Sequence, residues 1–113
     1  MPLVDSHLHL HDRRFDADRD RVLARARAAG LGRMLCCGTS ADDWQAVLDL
    51  AQAHADVLPA LGLHPWYADK AAKGWQQRLA TLARDHEVRA IGEIGLDRHF
   101  VDRGYDLQER VFE

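Results

Sequence analysis

Short apolar runs alternate with longer amphipathic stretches along the chain. "LVDSHLH" (3–9), "RMLCCG" (33–38), "VLPALGLHP" (57–65) and "VRAIGEIGL" (88–96) have strand length and are nearly apolar on both faces. Between them the spacing turns helical. In "ADRDRVLARARAAG" (17–30), Val22, Leu23, Ala26 and Ala29 share one face, and Gly30 suits the C-terminal cap. "TSADDWQAVLDLAQAH" (39–54) opens on Ser40 as N-cap with Asp43 three residues on, then repeats Trp44, Val47, Leu48 and Ala51 at helical intervals. "WQQRLATLARDH" (75–86) reads as a third helix, and a fourth begins around "YDLQERVFE" (105–113). Four β-α units in succession, without hairpin signals between them, predict an α/β fold with a parallel sheet covered by helices. No linker or low-complexity stretch interrupts them, so residues 1–113 are expected to form a single domain.

Composition narrows the function classes. A chain of 113 residues with 47% hydrophobic and 29% charged residues reads as one soluble globular unit with a core of modest size. The start "MPLVDSHLHL" has neither a basic n-region nor a long apolar stretch, and no run approaches the roughly 18–20 residues of a spanning helix. The expectation is a cytoplasmic protein with no membrane partner. A net charge of −3 argues against a basic saddle that holds duplex DNA along its length. It leaves room for an enzyme that grips a strand end through bound cations, which supply positive charge locally. The two cysteines, Cys36 and Cys37, are sequence neighbours that a strand would point to opposite faces. They read as small apolar residues of a buried strand.

In parallel α/β folds active sites gather at the carboxyl ends of the strands. The polar residues there are the ones to question. Residues 5, 7, 9 and 11 share one strand face, so His7 and His9 can present nitrogens to one cation, with Asp5 placed to orient an imidazole from behind. The competing reading is a pair of histidines held by core hydrogen bonds or solvated at a loop. His11 falls at the strand–loop junction and is the weakest ligand of the three. Glu93 lies among Ile91, Gly92, Ile94 and Gly95, where an unpaired carboxylate would be costly. It pairs either with a cation or with an arginine such as Arg89 or Arg98. His64, followed by Pro65, is either a turn histidine in water or a donor to an anionic substrate oxygen.

Taken together, "VDSHLHLH", "FDADRD", "GLHPW", "AIGEIGLD" and the pair Gln108 and Phe112 resemble, in order and spacing, the amino-terminal part of the TatD-type metal-dependent deoxyribonucleases, which belong to the amidohydrolase-like TIM barrels. The resemblance covers essentially the whole chain. It implies the first half of a (β/α)8 barrel, ending after the fourth strand, with one or two divalent cations (Mg, Mn or Zn) at the carboxyl rim. His7 and His9 would bind one metal, Glu93 would bridge two and serve catalysis, and His64 would meet the substrate phosphate. Asp5 and Asp97 would support the ligands from behind. The reaction implied is hydrolysis of DNA phosphodiester bonds, of the 3'-5' exonuclease type.

Two positions depart from the family pattern. Position 11, often acidic there, is His11, and the aromatic residue that frequently follows "GLD" is replaced by Arg98, either a phosphate contact or a loop cation. Two further histidines and an aspartate of the family's site belong to its second half, so this chain alone is expected to lack part of the site and to be inactive. Two rival readings stand beside the nuclease. One is a catalytically silent half-barrel that pairs its open sheet edges with a second copy or a partner. The other is a related metal-dependent phosphoesterase or amidohydrolase with a small-molecule substrate.

Overall fold

The computed structural model describes residues 1–99 and 104–113. The elements run β1 (Leu3–Leu8), α1 (Arg19–Ala28), β2 (Leu31–Cys37), α2 (Trp44–Ala53), β3 (Val57–Leu61), α3 (Trp75–Asp85), β4 (Ala90–Ile91) and α4 (Tyr105–Phe112), with 3-10 turns at Arg13–Phe15 and Pro65–Lys70. The sheet has the order β1-β2-β3-β4 and every pairing is parallel. Leu3 lies opposite Leu31, Met34 opposite Val57 and Ala60 opposite Ala90. With a crossover helix between each pair of neighbours, the sheet curls into the first half of an α/β barrel.

The core sits between the strands and the first two helices. Leu23 of α1, Met34 and Cys36 of β2, Trp44, Val47, Leu48 and Leu50 of α2, and Val57 and Leu61 of β3 form one buried cluster. Full burial of each large aliphatic side chain contributes about 1.5–3 kcal/mol. Trp44 is wholly buried, and its Nε1 donates to the Gly62 carbonyl at 2.8 Å, so the indole brings no unsatisfied donor into the core. Cys36 and Cys37 are both buried and free. Burial, with smaller contributions from neighbouring charges, pushes the Cys37 thiol up to about 11, which keeps it protonated and inert.

Element boundaries differ from the sequence pattern where side chains compete with the helix for backbone donors. α2 starts at Trp44 rather than near Ser40, and its N-cap position is Asp43. The Asp43 carboxylate reaches back to the N–H groups of Thr39 and Ser40, at 2.9 and 3.2 Å, and so holds residues 39–43 in a turn. α1 starts at Arg19, whose guanidinium folds back onto the carbonyls of Leu10 and Asp12 and the carboxylate of Asp16. Gly30 follows α1 at φ +96° and donates its N–H to Arg27, as a C-terminal glycine does. β4 is limited to Ala90 and Ile91, because the "GEIGL" stretch leaves the ladder beyond them.

β1 and β4 form the two edges of the sheet among the described residues. Leu3, Val4 and Ile91 stand exposed along them. Among the described residues no helix is long and apolar enough to cross a membrane.

Candidate metal centre

His7 and Glu93 come from the two edge segments of the sheet, eighty-six positions apart, yet their side chains meet. His7 Nε2 lies 3.4 Å from Glu93 Oε1, and His9 Nε2 lies 3.2 Å from Oε2 of the same carboxylate. The two Nε2 atoms are 3.3 Å apart. All three donor atoms fall within 4.8 Å of one another, the spacing of a set that can share one cation.

The carboxylate reaches this place through its backbone. Gly92 donates to the carbonyl of Leu61 at 3.1 Å, and Glu93 donates to the carbonyl of Gly38 at 3.0 Å. The segment after β4 therefore crosses the end of β3 to bond the end of β2. Gly62 makes this possible. A Cβ there would lie 2.7 Å from both the Gly92 carbonyl carbon and the Glu93 carbonyl oxygen. Hydrogen does not collide where a methyl group would.

Main-chain partners fix opposite tautomers in two of the three imidazoles around Glu93. His9 Nδ1 lies 2.8 Å from the Cys37 carbonyl oxygen. A carbonyl only accepts, so Nδ1 carries the hydrogen and a neutral ring presents its Nε2 lone pair to the cluster. His64 is held the other way. Its Nδ1 accepts from the Trp66 backbone N–H at 3.1 Å, so the neutral ring carries its hydrogen on Nε2, 3.7 Å from Glu93 Oε1. His7 and His9 can serve as ligands while His64 serves as a donor. The chemistry of the set, two imidazoles and a carboxylate, fits a divalent cation: its imidazoles suit zinc and similar metals, its carboxylate magnesium or manganese.

The remaining sequence-predicted residues have other partners. Asp5 accepts the backbone N–H of His7 at 3.0 Å, a bond that orders the strand end rather than an imidazole ring. Asp97 accepts from Trp66 Nε1 at 2.6 Å and from the His99 N–H at 2.9 Å. These bonds, led by that from Trp66, hold its carboxyl below the usual carboxylate range. Arg98 places its guanidinium over the Tyr105 ring, 5.4 Å from the centroid. Arg89 lines a groove with Val57 and His86, at the amino-terminal end of the strands. Among the described residues the ion-pair partners of Glu93 are therefore imidazoles.

His11 is not among the three donors. It is partly buried in the turn after β1, with Nε2 3.2 Å from Asp43 Oδ2 and Nδ1 3.3 Å from Cys36 Sγ. Burial lowers its pKa, but the hydrogen bonds to Asp43 and Cys36 outweigh that and raise it to about 9. As an imidazolium it donates through both nitrogens and ties the end of β1 to the start of α2. Gln108 is a residue whose part was not read from the sequence. Its side chain is buried, with Oε1 accepting from the Asp97 N–H at 2.8 Å and Nε2 donating to the Asp97 carbonyl at 3.2 Å. A polar residue facing inward on an otherwise amphipathic helix was the available signal.

A parallel half-barrel with two imidazoles and a carboxylate converging at its carboxyl rim has the donor set of a metal centre, and comparison with known proteins gives its family. The family described as TatD related DNase matches residues 4–113. The "3'-5' ssDNA/RNA exonuclease TatD" of Enterobacter lignolyticus is 43% identical over 95 residues, covering 84% of this chain and 36% of that protein. The metal-dependent hydrolase YjjV of Escherichia coli K12 is 34% identical over 112 residues, covering 97% of this chain and 43% of YjjV. The crystal structure of the same E. coli YjjV, a TatD homologue, superposes with a TM-score of 0.88 at 33% identity, over 97% of this chain and 43% of that one. The chain belongs to the TatD-related DNase family. It spans about two-fifths of the length of these relatives.

Proposed function

We propose that this chain carries one part of the active site of a metal-dependent nuclease that hydrolyses phosphodiester bonds of nucleic acid, of the 3'-5' exonuclease type named for its relatives. The observation that supports this most is the convergence of His7, His9 and Glu93 within 4.8 Å, beside a histidine of opposite tautomer. Two of these groups can offer lone pairs from nitrogen and one supplies negative charge, a combination that suits a cation.

His7 and His9 would hold a divalent ion (Mg, Mn or Zn) through Nε2, with Glu93 completing this side and serving as the catalytic carboxylate. Such an ion lowers the pKa of water and offsets charge on phosphoryl and leaving oxygens. His64 presents its Nε2–H at the same opening and would donate to a phosphate oxygen. Its Nδ1, committed to the Trp66 N–H, keeps that hydrogen in place. Arg98 would add positive charge for a neighbouring phosphate, fixed by its stack on Tyr105. Asp97 holds the rim, and Asp5 fixes the backbone that carries His7. A cytoplasmic location accords with a nucleic-acid substrate.

The product of the native reading frame, incubated with end-labelled single-stranded DNA and Mg²⁺, Mn²⁺ or Zn²⁺, is expected to shorten the strand from its 3′ end. His7→Ala with His9→Ala should abolish the cleavage. Failure of the unmodified protein to cleave with any of these metals would overturn the reading, and cleavage of a small phosphodiester but not of DNA would favour the related phosphoesterase.

The exposed apolar edges supply the observation behind a second reading. Leu3, Val4 and Ile91 lie along β1 and β4, where a second copy could extend the sheet. Light scattering on the purified chain decides it: a stable monomer removes the half-barrel dimer.

A further inference from the structure

The main chain at the end of β2 holds three residues of the site, each from a different strand. The carbonyl of Cys37, the last residue of β2, accepts from His9 Nδ1 at 2.8 Å. The Gly38 carbonyl accepts the Glu93 N–H at 3.0 Å, and the Thr39 carbonyl accepts the His64 N–H at 2.8 Å. The direction of these carbonyls therefore decides whether the donor atoms converge.

Two of the three are aimed from behind by one side chain. Both carboxylate oxygens of Asp43 lie 2.9 Å from the Thr39 nitrogen, and Oδ1 accepts the Ser40 N–H at 3.2 Å. A peptide unit is planar, with its N–H and C=O pointing opposite ways. The Thr39 N–H shares its plane with the Gly38 carbonyl, and the Ser40 N–H shares its plane with the Thr39 carbonyl. Holding the two N–H groups therefore turns the two carbonyls toward Glu93 and His64. The Thr39 hydroxyl, donating to Oδ2 at 2.6 Å, and His11 Nε2, 3.2 Å from Oδ2, keep the carboxylate in place. An aspartate at an N-cap position ordinarily accepts from its own helix, but Asp43 makes no such bond. Its acceptors are spent on the β2 end instead. We propose that Asp43 is the positioning residue of the metal centre, setting Glu93 and His64 through the peptide planes of residues 38–40. This rests on the metal-centre reading and adds to it the group that aims two of its members.

The test needs no turnover. Zn²⁺ and Mn²⁺ affinities of the whole chain are measured by competition with a chromophoric chelator, and amide hydrogen exchange is followed by NMR without metal. Asp43→Ala is expected to weaken metal binding about ten- to a hundredfold, the usual effect of losing a group that orients a ligand. The Glu93 and His64 amides should lose more protection than the Met34 amide, which bonds the Asp56 carbonyl at the other end of β2. Asp43→Asn, which keeps an acceptor oxygen without the charge, should retain most of the affinity and protection. Thr39→Val removes the hydroxyl alone, and should show a smaller loss at the same two amides even if Asp43→Ala does not fold. If the parent binds neither metal, the metal-centre reading falls and the positioning role with it. If the parent binds and the Asp43→Ala and Thr39→Val variants bind equally well, only the positioning role is overturned. It is overturned too if Asp43→Asn is as weak as Asp43→Ala, since the effect is then one of charge. Equal loss of protection at Met34 would also overturn it, since the chain is then loosened throughout.

Discussion

His9 donates its Nδ1 hydrogen to the Cys37 carbonyl oxygen across 2.8 Å, and this bond leaves Nε2 as the nitrogen that meets Glu93. The last residue of β2 thereby sets the chemistry of a residue just past β1. A ligand whose tautomer is fixed before the cation arrives loses less freedom on binding.

The chain should consequently be stabilised by metal. With free Mn²⁺ or Zn²⁺ at a hundred times its dissociation constant, binding to the folded state alone adds about 2.7 kcal/mol. A thermal melt followed by circular dichroism is expected to move upward on adding the metal and back on adding EDTA. The His7→Ala, His9→Ala double variant should melt at one temperature in all three conditions.

Gly62→Ala places a methyl group 2.7 Å from the backbone that carries Glu93. Backbone cannot swing aside as a side-chain tip does, so overpacking of this kind costs about 1–3 kcal/mol. The urea midpoint should fall by that amount. The metal-induced rise in melting temperature should shrink as well, because the methyl group pushes the carboxylate away from His7 and His9.

Asp43 is the acceptor for the Thr39 and Ser40 N–H groups, the Thr39 hydroxyl and His11 Nε2. Removing it strands those donors in a partly buried loop, so Asp43→Ala should cost about 2–4 kcal/mol in urea denaturation. Its exposed neighbour is the control. Asp42→Ala should stay within about 0.5 kcal/mol of the parent.

The acid limb of stability has an identifiable contributor. Arg27 donates to both carboxylate oxygens of Asp56, each at 2.7 Å, and lowers the Asp56 pKa from 3.8 to about 2. A carboxyl depressed in the folded state contributes stability above its unfolded value and loses it as pH falls through the folded one. The contribution is therefore complete above about pH 4–5 and fades toward pH 2. Urea midpoints measured across that range should fall less steeply for Asp56→Asn than for the parent, and an unchanged slope would remove the assignment.

Alternating apolar runs and helical spacing made the order of strands and helices legible, because period and length follow from which faces are buried. Trp44, Val47 and Leu48 were readable as core for the same reason. The boundaries were not. Whether Ser40 or Asp43 stands at the start of α2 depends on a carboxylate reaching back to Thr39 and on His11 arriving from another strand. His7, His9, His64 and Glu93 were visible as polar residues at apolar strand ends. The opposite tautomers of His9 and His64 rest on the Cys37 carbonyl and the Trp66 N–H, main-chain groups that no residue letter encodes. Gln108 and Trp66 were hidden in the same way, since each gains its meaning from Asp97 across a turn of chain.

The Gln108 clamp also bears on the order in which the molecule matures. Gln108 belongs to α4, near the carboxyl end of the chain, yet it holds the backbone of Asp97, whose carboxylate holds Trp66. On a ribosome, His7, His9 and the pocket for Glu93 emerge long before α4 does. The histidines can find each other early, while the rim stays unset until the amide of Gln108 arrives. Because Glu93 precedes Gln108 by only fifteen positions, the carboxylate and the amide join a newly made chain almost together, and the donor set closes as the rim does.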